Sequence, residues 1–209
     1  MNQRSGVRRL DAPDVDAAAN VLVRAFFDSP FWTWLEPDAA KRSALLEWYM
    51  PVGVRYGLLG REVFGAGDPL RAIAIWEPPE DTPTDRDPDG TISGYADHPK
   101  HMSAEAIARS EAASETQRPV RLLVMDCRPF WYLQLLGVDP VAQRSGAGEA
   151  LLGDMFARAD ASGVPICTDT ENEANVPYYE QHGFRLVHHG ELPLGGPDFW
   201  TFRHDPVWP

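Results

Sequence analysis

The chain is poor in cysteine. Two of 209 residues, Cys127 and Cys167, cannot build a disulfide scaffold, so unpaired thiols in a reducing cytosol are expected. Long apolar runs are missing as well. No stretch approaches the roughly 18 consecutive apolar residues of a membrane span. The segment Met1 to Leu10 holds three arginines and no apolar centre, which does not read as a signal peptide. Positive charge is scarce: 19 Lys plus Arg stand against 31 Asp plus Glu, a net charge of −12. Such a chain repels polyanions, which argues against a nucleic-acid partner and suits a cationic substrate. No fixed-period repeat is present, which excludes solenoids and propellers. There is no H-E-x-x-H and no cysteine pair at zinc spacing, so no metal site is expected. Cys127 lacks a His base placed by the sequence, which argues against an acyl-enzyme nucleophile.

What is present is ordinary globular material, 44% apolar and 24% charged, and the length fits one domain over residues 1–209. Gly6 to Leu10 reads as a short strand. Asp11 or Asp14 can cap a following helix with Pro13 in its first turn, and Val15, Ala18, Ala19, Leu22, Ala25 and Phe26 share one face of it. Residues 28–37 read as a Pro-bounded aromatic loop that breaks this helix. A second helix is expected from about Asp38 to Leu58, perturbed at Pro51 and Gly53. Arg61–Gly65 and Leu70–Trp76 read as strands joined at Asp68-Pro69. Glu77 to Gly90, rich in proline and acidic residues, reads as a solvated loop. Ser103–Glu115 predicts a helix and Phe130–Val138 a buried strand. Gly146–Ser162 predicts a helix with Ala147, Leu151, Leu152, Met155, Phe156 and Ala159 on its apolar face. Pro165–Thr170 is a strand, Val176–His182 a short helix stopped by Gly183, and Phe184–Glu191 and Asp198–Arg203 are final strands. This order predicts an α/β domain around a mixed sheet.

The chemistry concentrates between Trp131 and Leu152, which reads strand, turn, glycine loop, helix. Gly146 and Gly148 allow close backbone approach, and residues 144–149 would aim free amide N–H groups outward at a helix start. That is an anion site that needs no lysine, with Arg144 able to add a charged contact. The Walker pattern G-x-x-x-x-G-K-[ST] is absent, and G-x-G-x-x-G fails because position 151 is Leu. What remains is Gln143-x-x-Gly146-x-Gly148 after Leu136-Gly-Val-Asp-Pro140. Downstream, Asn175, Pro177, Tyr179, Gly183 and Phe184 stand in N-x-P-x-Y-E-x-x-G-F, with Asn175 and Tyr179 on one helix face.

These two windows resemble motifs A and B of the GNAT superfamily of N-acetyltransferases. Within it the chain is most similar to the puromycin N-acetyltransferase group, through Ala74-Ile-Trp-Glu-Pro78, Pro129-x-Trp-Tyr-Leu133 and Arg158-Ala-Asp-Ala-x-Gly-Val-Pro165. The resemblance is strong over residues 129–190, weak over 1–76 and nearly absent over 77–128. It implies a mixed, mostly antiparallel sheet of about seven strands with helices on both faces. It implies acetyl-CoA as donor and a small-molecule amine, an antibiotic or pathway intermediate, as acceptor. The pantetheine arm would lie along Leu136, Gly137 and Val138. The diphosphate would meet Gln143, Arg144, Ser145, Gly146, Ala147, Gly148 and Glu149, with Asn175 facing the arm. Tyr179 would protonate the leaving thiolate and the Leu136 amide would stabilise the carbonyl oxygen. Asp169, Glu171, Glu77 and Asp126 are the candidate bases, with Asp169 or Glu171 ranked ahead of Glu77. Phe31, Trp32, Trp34, Trp48 and Tyr49 line an acceptor pocket or pack in the core. Of Trp131 and Tyr132, one meets the substrate and the other the core. Trp76, Glu77 and Trp131 join Phe31, Trp32 and Trp34 as candidate acceptor contacts, whereas Tyr178 reads as packing. Gly137 could leave room for a longer acyl chain. A homodimer is the default for a small enzyme. A protein or peptide acceptor and a non-catalytic acyl-CoA-binding module are the competing functions.

Overall fold

The computed structural model describes residues 6–60, 62–79 and 86–207. Arg61, expected to open a strand, and residues 80–85 of the acidic loop lie outside the described residues. In chain order the elements are β1 (Val7–Arg9), α1 (Val15–Phe26), α2 (Pro30–Leu35), α3 (Ala39–Leu59), β2 (Val63–Ala66), β3 (Ala72–Glu77), α4 (His98–His101) and α5 (Ala104–Val124). There follow β4 (Trp131–Val138), α6 (Ala147–Ser162), β5 (Ile166–Thr170), α7 (Val176–Gln181), β6 (Arg185–Glu191) and β7 (Asp198–His204). The seven strands form one sheet in the order β1-β2-β3-β4-β5-β7-β6. Every neighbouring pair is antiparallel except β4 with β5. This is the α/β domain around a mixed sheet that the element order predicts, with the mostly antiparallel pairing that the resemblance implies.

Strand alternation divides the core. Along β3, Ile73 and Ile75 face one cluster with Leu22, Leu46, Met50 and Val54 of α1 and α3. Ala72, Ala74 and Trp76 face a second cluster with Leu151, Leu152 and Met155 of α6 and Tyr179 of α7. Local chemistry sets the helix starts. The backbone N–H of Asp11 donates to the Asp14 carboxylate at 3.0 Å, and Arg8 grips that carboxylate at 2.6 and 2.8 Å. Asp38 accepts the N–H groups of Ala40 and Lys41 at the head of α3.

Three expectations are corrected. The aromatic loop contains a helix: Ser29 Oγ accepts the Trp32 N–H and Pro30 occupies the first turn, so cap and proline together start α2. Helix α5 does not stop near Glu115 but runs through Pro119 to Val124, held by side chains of its last two turns that reach β4 and β5. Strand β4 is not buried throughout. Only Leu133 and Gly137 are sealed, because the sheet opens beside it. No helix among the described residues is long and apolar enough to cross a membrane.

Candidate active site

The opening lies between β4 and β5. These strands pair only at Trp131↔Ile166, Tyr132↔Cys167 and Leu133↔Thr168. From Gln134 onward β4 keeps β3 alone as a partner, and its other backbone edge faces the gap. The β3–β4 register jumps from Ile75↔Leu135 to Trp76↔Leu133, so Gln134 is an extra, bulged residue at the fork. Beyond β4 the chain is pinned by Asp139, whose carboxylate takes Arg24 of α1 at 2.6 Å and the Val141 N–H at 3.2 Å. Arg144 (φ 63°) and Gly146 (φ 84°) then turn the backbone into the first turn of α6. A cleft of about 1180 Å³ runs from this helix start, along the gap, to a chamber under α2, α3, α5 and residues 87–98.

Most of the expected residues line this cleft: Leu136, Gly137, Val138, Gln143, Arg144, Gly146, Ala147, Gly148, Glu149, Asn175 and Tyr179, together with Asp169, Glu171, Glu77, Phe31 and Trp32. Four do not. Trp76 is 1% exposed and packs under α6, because strand alternation sends it opposite to its neighbour Glu77. The same rule turns Trp131 to the α6 core and Tyr132 to the cleft. Trp34 sits on the outer side of α2, where its indole N–H donates to the Leu194 carbonyl at 3.3 Å. Ser145 is turned away, its N–H donating to the Ala142 carbonyl at 3.3 Å. Phe31 and Trp32 are both wall and core, with Trp32 edge-on to Tyr49 at 4.9 Å. Gly137 offers no space for a longer acyl chain: a Cβ there would meet Leu22 at 2.7 Å and Ala25 and Phe26 at 3.2 Å. Its role is the close seating of α1 on β4.

The polar groups are sorted unequally. Both oxygens of Asp169 are committed: Thr201 Oγ1 donates to one at 2.6 Å, and Arg121 at 2.8 Å and the Tyr132 hydroxyl at 3.3 Å donate to the other. Glu171 accepts the side-chain N–H of Gln117 at 2.6 Å and the N–H of its own backbone. Burial pushes its carboxyl up to about 7, against the pull of the Gln117 hydrogen bond and with repulsion from Asp169. Burial also raises Glu77, opposed by the charges of Arg121, Arg86 and Arg118. The Tyr179 phenol is raised by burial, and Thr168 works the other way. Burial pushes Tyr178 up to about 12. Tyr178 is more than packing: its hydroxyl is buried without a hydrogen-bond partner, 3.0 Å from where a Cβ on Gly148 would sit. Gln117, Arg118, Arg121 and Tyr178 thus join the cleft without having been singled out as site residues, and Tyr132 proves to be the cleft-facing member of its pair. The first three sit in the α5 extension. For Tyr178 the signal was in the sequence, a hydroxyl one residue from Tyr179. No group of three His, Cys, Asp or Glu able to hold a metal occurs among the described residues.

Residues 22–184 match the model of the acetyltransferase (GNAT) family. The chain belongs to the GNAT acetyltransferase family. Members use acetyl-CoA as co-substrate. Solved structures agree in fold. An acetyltransferase of Corynebacterium glutamicum, described as a histone acetyltransferase and related acetyltransferase, has 22% identity, 97% coverage of both chains and a TM-score of 0.60. The polyamine N-acetyltransferase of Drosophila melanogaster has 17% identity, covers 96% of this chain and 99% of its own, and has a TM-score of 0.61. A mosquito arylalkylamine N-acetyltransferase, like 5b, has 14% identity, 96% and 99% coverage and a TM-score of 0.62. At these identities the likeness is one of fold.

Proposed function

We propose that this GNAT enzyme transfers an acetyl group from acetyl-CoA to the amine of a small cationic molecule by direct attack, with no acyl-enzyme. The observation behind this reading is the cleft itself. It joins a glycine-built helix start to a chamber walled by aromatic rings and holding two carboxylates, Glu77 and Glu171, with no ion-pair partner among the described residues. The residues present suit the donor. The amides of residues 146–149 and Arg144 would hold its diphosphate, Gly148 leaves the approach open, and the unpartnered Tyr178 hydroxyl can donate to one of its oxygens. Leu136 and Val138 offer backbone on the free edge of β4 for the pantetheine arm, beside Asn175.

When bound, acetyl-CoA supplies an activated acyl carbon and a thiol leaving group. Glu171 takes the proton from the acceptor's ammonium, a role suited to a carboxyl near 7. Asp169 is not that base, since its oxygens are already held. The Leu136 amide stabilises negative charge on the carbonyl oxygen. Tyr179 stays protonated at neutral pH and donates its proton to the departing sulfur. Glu77 and the rings of Phe31, Trp32 and Tyr49 hold the acceptor's cation and apolar part. Solved structures of the same fold include enzymes named for agmatine, polyamines and arylalkylamines. The segments shared with the puromycin N-acetyltransferase group make aminonucleosides the first antibiotic acceptors to try. We read the enzyme as cytosolic, in keeping with its two free cysteines, and as a homodimer.

The test is a thiol-release assay with acetyl-CoA and a panel of aminonucleosides, polyamines, agmatine, arylalkylamines and short peptides, beside calorimetry with acetyl-CoA alone. Turnover on a small amine is expected. Turnover on peptides alone would replace the acceptor class, and absence of donor binding would overturn the reading.

A further inference from the structure

Helix α5 treats the two carboxylates at the end of β5 differently. Gln117 and Arg121 lie one turn apart on the helix and both reach the strand end. Arg121 donates to Asp169 Oδ2 at 2.8 Å, and Thr201 takes Oδ1 at 2.6 Å. Asp169 is thereby held by three donors across its two oxygens. Gln117, 8% exposed, donates its amide N–H to Glu171 Oε1 at 2.6 Å. We propose that Gln117 is the positioning residue of this enzyme, fixing one oxygen of Glu171 so that the other meets the acceptor amine. The proposal rests on the reading of Glu171 as the base.

The choice of an amide has a chemical reason. A neutral donor favours the carboxylate by a hydrogen bond without adding a full positive charge. An arginine at position 117 would pull the carboxyl well below the range in which it can take a proton from an ammonium. A residue with no donor would remove the first of the contacts that oppose burial and shift the carboxyl toward its protonated form. The groups facing Glu171 are Gln117 and Arg121 of α5, Asp169 of its own strand end and Tyr179 of α7. Of these Gln117 alone makes a hydrogen bond to it, so Gln117 is the contact whose removal acts on Glu171 without breaking the Asp169 network.

The test has a readout independent of turnover. Carbon-13 carboxyl NMR would follow Glu171 titration in the wild type, in Gln117→Met and in Gln117→Lys, each checked for a cooperative melt. Losing one hydrogen bond to a charged group should move the Glu171 midpoint up by about one pH unit in Gln117→Met. Gln117→Lys should move it down. The acid limb of kcat/KM, measured with the fastest amine of the panel, should move with it, and Kd for acetyl-CoA should not change. If Gln117→Met does not fold, the downward shift in Gln117→Lys decides. Midpoints and limbs that stay in place, with Glu171→Gln inactive, would sink the positioning role and leave the base intact. Full activity in Glu171→Gln would instead remove the base, and the proposal with it.

Discussion

Asp169 and Glu171 are two positions apart in sequence and differ in their side-chain partners, three donors on one and a single amide on the other. That difference carries a sign that can be measured. Burial raises the folded-state pKa of Glu171 to about 7, above the ordinary 4.5. A raised carboxyl pKa means that folding binds a proton. The favourable contribution is complete below about 4.5 and is lost as pH rises through about 7. Glu171→Gln should therefore melt above the wild type at pH 8 and level with it near pH 4, while kcat falls roughly 10²- to 10³-fold. A variant that melts lower at pH 8 would show that the carboxylate stabilises the fold. Tyr179→Phe should lower kcat by roughly 10²-fold with little change in acetyl-CoA affinity. An unchanged kcat would take Tyr179 out of the acid role. Tyr178→Phe should behave in the reverse way. Its hydroxyl has no partner to lose, so the Tm should hold or rise, while Kd for acetyl-CoA weakens about tenfold. The same substitution should leave affinity for pantetheine, which lacks the diphosphate, unaltered.

Elements create the site by where they stop pairing. Strand β4 leaves β5 after Leu133, and the bulge at Gln134 turns the rest of the strand along the gap. Helix α1 backs that free strand, with Gly137 as the point of closest approach. Gly137→Ala would force a Cβ to within 2.7 Å of Leu22, so it should cost about 1–3 kcal/mol in urea unfolding with the m-value unchanged. A neutral result would show that α1 can shift away without cost. Helix α5 shows how little of an element's purpose its own pattern states. Its first turns read plainly as an Ala- and Glu-rich helix, but the part beyond Glu115 contains a proline and was not expected to be helical. That part carries Gln117, Arg118 and Arg121 into the cleft.

At the scale of the molecule, the net charge of −12 draws cations, and the cleft carries the same sign inward through Glu77 and Glu171. Raising salt from about 50 to 500 mM should lower kcat/KM for a dicationic acceptor more steeply than for a monocation. Equal slopes would confine recognition to the single reacting amine.

Much of the molecule is written locally. Turn residues, caps and apolar spacing placed the strands and most helices within a few residues, and Gln143, Gly146 and Gly148 marked the helix start because a turn into a helix needs only contiguous backbone. Asn175 and Tyr179 were legible for the same reason, one at the head of α7 and the other a turn inside it. Local signals failed where the outcome depended on distant partners. Alternation says that Trp76 and Glu77, or Trp131 and Tyr132, face opposite ways, but only the packed sheet decides which face is core. Two carboxylates on one strand end look alike in sequence. Arg121 and Gln117, about 50 residues earlier, give one a charged partner and the other a neutral one, because a carboxylate's chemistry is set by the donors that tertiary folding brings within hydrogen-bond reach.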